Sequence, residues 1–255
     1  MSESVDRPPI ADAPISVALL VPESGTGFEE AINGWVDYLE TLKRAHEILV
    51  VGAGSAAVGE AEEWAKRNAN VKVVGQDTPG AGASLRAALA AAHHPLFFYA
   101  DCIQAYAPAD LGKLLEFIDH VDLVSGFREP PEARSPAHGW LHRLVLRFVF
   151  GLRLQDVDCS FKLFRRSIFA RIPIQTDGSF AHAEIMAKAN FLGCLIGEVA
   201  VRYMPQEACH LDDAARRQRR REALAVFRHP DFGPPQAPPP LPAALAGQPS
   251  RPLPD

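Results

Sequence analysis

The stretch that decides the reading runs from Phe97 to Pro108: Phe97-Phe-Tyr-Ala-Asp101-Cys-Ile-Gln-Ala-Tyr106-Ala-Pro108. An apolar and aromatic run ends on a single acid, the pattern of a buried strand with a carboxylate at its carboxyl end. Open α/β sheets place their ligand chemistry just outside that edge. A hard divalent cation held there wants several oxygens, so a second acid is expected two residues on. That position is Ile103.

Working outward, apolar runs of strand length alternate with helical patterns. Strands are expected at 15–21, 47–51, 71–74 and 96–100. Helices are expected at 28–45, where Phe28, Ile32, Trp35, Val36, Leu39 and Leu42 share a face, and at about 59–68 and 84–93. Such alternation implies a mostly parallel sheet flanked by helices, with right-handed crossovers. Beyond Asp101 the pattern reads as a helix at 110–118, a strand at 121–126, a charged Pro-rich loop at 129–136 and an apolar helix at 141–150. The segment 156–166, a helix at 183–192, a strand at 195–203 and an arginine-rich helix at 212–227 follow. The expected domain organisation is an N-terminal tail at 1–14, a core domain at 15–206, a basic helix at 207–232 and a Pro-rich tail at 233–255, both tails being disordered.

Hydrophobic residues make up 47% of the 255, enough for a sizeable core, and the formal net charge is -5. That balance argues against a nucleic-acid partner. Cys102, Cys159, Cys194 and Cys209 are scattered and form no C-x-x-C pair, which favours reduced thiols. Neither a signal core nor an apolar run of spanning length is seen, so the chain reads as cytoplasmic without a transmembrane segment.

Local constellations point to anion chemistry. Gly80-Ala-Gly82-Ala-Ser84-Leu-Arg86 lies between a strand and a helix, where glycines admit a close approach and opening amides favour a phosphate; a tight turn explains the same residues. Asp156-Val-Asp158-Cys-Ser-Phe-Lys162-Leu-Phe-Arg165-Arg166 sets two carboxylates before three cations, a base beside groups for an anionic acceptor, or else solvated acids followed by an amphipathic strand. Glu184 opens a helix, where capping suffices to explain it, and His182 reads as a surface or capping histidine. Gly52-Ala-Gly54-Ser55 follows a strand, yet the acid of a dinucleotide site is not at the end of the next strand, so an oxidoreductase ranks last. The arginines at 216–221 read as a solvated face, or as a surface for anionic lipid headgroups.

Taken together, the segments from about Ile15 to Pro205 resemble the family 2 glycosyltransferases, in particular the branch of dolichyl-phosphate mannose synthase and related polyprenyl-phosphate glycosyltransferases. The most specific likeness is Asp156-Val-Asp158-Cys-Ser-Phe-Lys162-Leu-Phe-Arg165-Arg166, joined by the 80–86 loop, Ser125-Gly-Phe-Arg128 and Ala183-Glu184-Ile185. Tyr106 and Pro108 fall where that family has a tyrosine and a proline. The resemblance implies a GT-A fold, Rossmann-like, in which a nucleotide-sugar lies at the strand ends. A divalent metal (Mg or Mn) bridges its diphosphate to an Asp-x-Asp pair, and the acceptor displaces the sugar with inversion. It assigns Pro22, Gly80, Gly82, Arg86 and Asp101 to the donor and its phosphates, with Asp101 also the metal residue. Asp156 and Asp158 become the catalytic acids, and Arg128, Lys162, Arg165, Arg166 and Glu184 the acceptor side. The acceptor class it implies is an anionic, lipid-phosphate molecule, with peripheral contact at the inner membrane face.

The chain departs from the pattern on the donor side. Pro22-Glu-Ser-Gly-Thr26 stands where the family has Pro-x-Tyr-Asn-Glu, Gly52-Ala53 where it has paired acids, Ile103 where it has the second metal acid, and Pro205-Gln206 where it has Pro-Arg. The metal motif is thus degenerate. A non-catalytic GT-A-fold binding or scaffolding protein is the alternative expectation.

Overall fold

The computed structural model describes residues 9–21, 28–52, 56–76, 78–101, 106–129, 154–204 and 213–233. Expectations for Pro22, for 53–55, for Cys102 and Ile103, for 130–150, for 205–206 and for the tail from 234 on lie outside the described residues.

Four strands make the first half of the sheet: β1 (Ile15–Leu20), β2 (His46–Gly52), β3 (Val71–Gly75) and β4 (Leu96–Asp101). They pair in parallel in the order β3-β2-β1-β4, with Leu20 beside both Val51 and Asp101. β1 is buried at all six positions, as a strand covered on both faces must be, and this is why it reads as a near-continuous apolar run, interrupted at Ser16, rather than an alternating one. One cover is α1 (Phe28–Thr41) with α2 (Ala56–Arg67) and α4 (Leu111–Phe117); the other is α3 (Ala81–Ala91) with α5 (Ala181–Phe191). Ile15, Val17, Leu19, Phe98 and Ala100 face Ile32, Trp35 and Leu39 of α1, whereas Ala18, Leu20, Phe97 and Tyr99 face Leu85, Ala181 and Ile185.

The second half of the sheet departs from simple alternation. β5 (Leu123–Glu129) and β7 (Ile196–Arg202) are parallel neighbours, and β6 (Lys162–Arg165) is wedged between β4 and β5, antiparallel to both. The full order is β3-β2-β1-β4-β6-β5-β7. Tyr99 and Ser125 both oppose Lys162, so β6 enters at the sheet's carboxyl edge, and the segment before it, 156–161, lies across that edge beside Asp101. The reversal of β6 is what brings the Asp156–Asp158 segment to the end of β4.

Residues 9–14, expected in the tail, are held in place. The amides of Ile10 and Ala11 donate to Asp119 Oδ1 at 2.6 and 2.8 Å, and Ile10, Ala11 and Ala13 pack on the core. The last described helix, α6 (Asp213–Arg228), returns to the site face and buries Val226 against Phe180 and its neighbours. Among the described residues no helix is long and apolar enough to cross a membrane.

Candidate functional site

Three pieces of chain meet at the carboxyl edge. β4 delivers Asp101, β5 delivers Arg128, and the segment before β6 delivers Asp156, Asp158 and Ser160. Arg128 grips Asp156 as a fork, Nε to Oδ2 at 2.6 Å and Nη2 to Oδ1 at 2.9 Å, and its own amide adds a bond to Oδ2 at 3.3 Å. Both partners are largely out of water, a setting in which paired hydrogen bonds to charge are short and strong. The guanidinium also lies 5.3 Å from the centre of the Tyr203 ring. Its proton is held more firmly than an arginine's usually is, since the bonds and charge of Asp156 outweigh the cost of burial.

Asp101 accepts a hydrogen bond from Ser160 Oγ, which also reaches Tyr106 Oη at 3.2 Å. Burial raises the Asp101 carboxyl above the usual carboxylate range, against the opposing pull of Ser160, Arg128 and Lys162. Asp101 and the Asp156–Asp158 segment therefore share one electrostatic environment. Cys159, whose thiol burial pushes up to about 11, sits 3.7 Å from Tyr106 Oη and is a packed thiol, not a nucleophile.

Lys162 is fully buried and spends its ammonium on the carbonyls of Val157, at 3.1 Å, and Cys159. Desolvation lowers its pKa, and its structural effect is to fix the loop that carries Asp158. Arg165 and Arg166 are not brought to this edge. Arg165 pairs with Leu96 at the opposite, amino end of β4 and donates to the carbonyls of Ile118, Asp119 and Val121 at 3.0, 3.2 and 3.1 Å.

The glycine loop is engaged elsewhere. Gly80 has φ of 122°, a conformation costly for other residues, and a Cβ there would stand 2.3 Å from the Asp177 carbonyl oxygen. At Gly82 a Cβ would lie 1.9 Å from Thr176 O. The close approach read from the sequence exists, but a protein carbonyl makes it: the amides of Gly82 and Ala83 donate to Asp177 O at 2.8 and 3.2 Å. Arg86 bonds Thr176 O at 2.9 Å and pairs with Asp177. Glu184 grips the same segment from α5, accepting from the amides of Gln175 and Thr176 at 2.7 and 3.0 Å and from Lys188 at 2.7 Å. Gly80, Gly82, Arg86 and Glu184 thus converge on 174–178.

Two residues of the site were missed in sequence. His182, expected as a surface or capping histidine, is buried in the first turn of α5, where Tyr99 Oη meets its Nδ1 at 3.0 Å. Burial, reinforced by the charge of Lys162, pushes its pKa down to about 3, so the ring is neutral at physiological pH. Arg219 is the member of the arginine run that turns inward: it is 8% exposed and pairs with Asp158. Its neighbour Glu222 accepts from Gly178 N at 2.9 Å, so α6 clamps both the Asp158 loop and the 174–178 segment. The signal was spacing, for 219, 222, 223 and 226 follow one helical stripe.

Among the described residues no group of three or more His, Cys, Asp or Glu is placed to hold a metal ion. Asp156 and Asp158 are committed to arginines, and Asp101 is a carboxyl whose burial favours its neutral form. The described donor set does not make a divalent-ion site.

Comparison with known proteins gives this geometry its relatives. The dolichyl-phosphate hexose transferase of Haloferax volcanii is 27% identical over 143 residues, 54% of this chain and 62% of that protein. The match therefore spans less than two thirds of that relative's length. Glucosyl-3-phosphoglycerate synthase from Mycobacterium tuberculosis, solved with Mn2+, UDP and phosphoglyceric acid, superposes with a TM-score of 0.67 at 20% identity, covering 87% of this chain and 81% of that one. Its complex with Mn2+, UDP and glucosyl-3-phosphoglycerate gives a TM-score of 0.69 at 20% identity, over 87% and 82%. At that identity the likeness establishes the shared GT-A fold. The model of the family described as "Glycosyl transferase family 2" matches residues 30–172, more than half of the chain. With the parallel half-sheet, the reversed β6 and Asp101 at the strand edge, that match places the chain in glycosyl transferase family 2.

Proposed function

We propose that the chain transfers a sugar from a nucleotide-sugar donor to a phosphate-bearing acceptor, polyprenyl phosphate being the acceptor class. The observation that carries this reading is the convergence of Asp101, Arg128, Asp156, Asp158 and Arg219 at one sheet edge. Two guanidinium groups already paired with carboxylates form a place where an incoming phosphate exchanges one charge-assisted partner for another. An acceptor phosphate oxygen attacks the anomeric carbon of the sugar and forms a C–O bond. The bond from that carbon to the donor diphosphate oxygen breaks, and the nucleoside diphosphate leaves with the electron pair.

A phosphate nucleophile is already ionised, so the site's main task is to hold two anions at reacting distance and offset their repulsion. Arg128 and Arg219 supply the positive charge, Asp156 fixes the fork of Arg128, and Asp158 orients the acceptor. Asp101 flanks the donor. Lys162 and Glu184 act through the loops they pin, as do Gly80, Gly82 and Arg86. A lipid acceptor brings the chain to the inner face of a membrane as a peripheral protein.

The test is incubation of the purified chain with UDP- and GDP-sugars, a short-chain polyprenyl phosphate, and Mg2+ or Mn2+ present or omitted. Transfer that falls at least about a hundredfold in Asp101→Asn, with the fold intact, is the expected result. If no nucleotide binds at millimolar concentration, the reading fails. A second reading, a non-catalytic GT-A scaffold, is favoured by Ile103 and Gly52 standing in place of acids. It is supported if nucleotide binds but no sugar moves under any of these conditions.

A further inference from the structure

α6 presents two unlike faces. Arg219, Glu222 and Val226 point into the protein, to Asp158, to Gly178 and to the core. Opposite them, Arg216, Arg217, Arg220, Arg221 and Arg228 are exposed, and with them Leu224 at 48% and Phe227 at 56%. At about 100° per residue, these seven positions fall within about 140° of the helix circumference. Between Arg216 and Arg228 no acid shares that arc, because Glu222 is turned inward. Just beyond the helix, Phe232 stacks on Phe191 at 4.9 Å, and Phe191 is 75% exposed.

A solvated helix face explains arginines, but it does not explain a leucine and a phenylalanine set among them. A nucleic-acid surface explains arginines too, yet the chain carries a net charge of -5. A bilayer interface accounts for both, since headgroup phosphates take the guanidinium groups while apolar side chains enter the acyl boundary. We infer that the outward face of α6 is a docking surface for anionic phospholipid membranes. Seated this way, the helix lies flat on the bilayer, and its inward Arg219 holds Asp158 directly above the surface. The docking deepens the transfer reading, on which its purpose rests, because an acceptor phosphate at headgroup level would stand beside the Asp158 loop.

The experiment is co-sedimentation of the full chain with phosphatidylglycerol/phosphatidylcholine vesicles, with no sugar-nucleotide present. Binding is expected to vesicles containing phosphatidylglycerol and not to phosphatidylcholine alone, and to weaken as salt rises. The combined variant Arg217→Gln, Arg220→Gln, Arg221→Gln is expected to lose about a hundredfold in affinity, from about fivefold per charge, with an unchanged melting temperature. A second variant, Leu224→Ser with Phe227→Ser, is expected to lose the binding that survives high salt. Equal binding to neutral vesicles, no binding, an unaffected triple variant or stronger binding to duplex DNA would each overturn the inference. Failure here leaves transfer to a soluble phosphate acceptor standing, whereas membrane binding without transfer leaves the docking standing.

Discussion

The two edges of the sheet each hold a shielded carboxylate, and the two are treated in opposite ways. At the amino edge Glu47 of β2 receives Ser16 Oγ at 2.7 Å, Lys72 Nζ at 2.8 Å, the His93 amide at 2.8 Å and the His93 ring at 3.2 Å. Burial alone would raise its pKa, but these donors outweigh it and hold the group down at about 2. At the carboxyl edge Asp101 accepts from Ser160, and burial prevails, so its pKa rises. A carboxylate saturated with donors ties strands together. One shielded from water and sparingly bonded has the setting that the proposed transfer asks of Asp101.

The largest effect is expected where a buried pair is cut on the carboxyl edge. Arg128→Ala leaves Asp156 enclosed without its fork and should cost about 3–5 kcal/mol of unfolding free energy. A urea titration that moves by less than about 1 kcal/mol, on the order of a surface pair, would show that the Arg128–Asp156 pair is open to water. Acid comes next. Unfolded His182 takes up a proton near pH 6.5, whereas the folded ring resists until about 3, so its contribution is intact above 6.5 and drains away as pH falls through that window. By pH 4 the loss is on the order of 3 kcal/mol. Glu47 adds to it below its unfolded value of 4.5, down to about 2. The slope of stability against pH between 4 and 6 should flatten in His182→Gln.

Glu47→Gln keeps the shape and removes the charge, so about 1.5–3 kcal/mol should be lost with sugar transfer untouched. Parallel loss of transfer in a well-folded Glu47→Gln would erase the distinction between the edges. The smallest change in stability belongs to Asp101→Asn, within about 1 kcal/mol of the parent, because burial penalises the charge that the substitution removes while the shape is kept. Thermal melting of that variant, read beside its transfer rate, is the sharpest form of the comparison.

Much of the sheet was legible because burial on both faces writes β1, β2 and β4 as apolar runs, and α1 was legible from a stripe that includes Trp35 and Leu39. Helices α2 and α3 begin at Ala56 and Ala81, three residues before the expected starts, since small residues carry little periodic signal. The direction of β6 was hidden. Four residues with cations at both ends, Lys162 to Arg165, say nothing about polarity, and only tertiary pairing with Phe97 and Ser125 fixes it. Of the candidate site, Asp101, Arg128, Asp156 and Asp158 were read as acting in one neighbourhood, and they meet. Arg165, Gly80, Gly82 and Arg86 have short-range patterns that suit an anion equally well as a backbone carbonyl, and pattern alone cannot tell the two apart. His182 was misread because α5 is buried nearly all round, which erases the polar face that would have marked an exposed histidine.

The clamp of α6 has a consequence for the order of assembly. Every strand of the described residues is complete by Arg202, yet the guanidinium that meets Asp158 and the carboxylate that meets Gly178 arrive only at 219 and 222. On a ribosome the sheet can close while its carboxyl edge still lacks the guanidinium that pairs with Asp158. Completion of that edge is thus deferred until α6 folds back upon it.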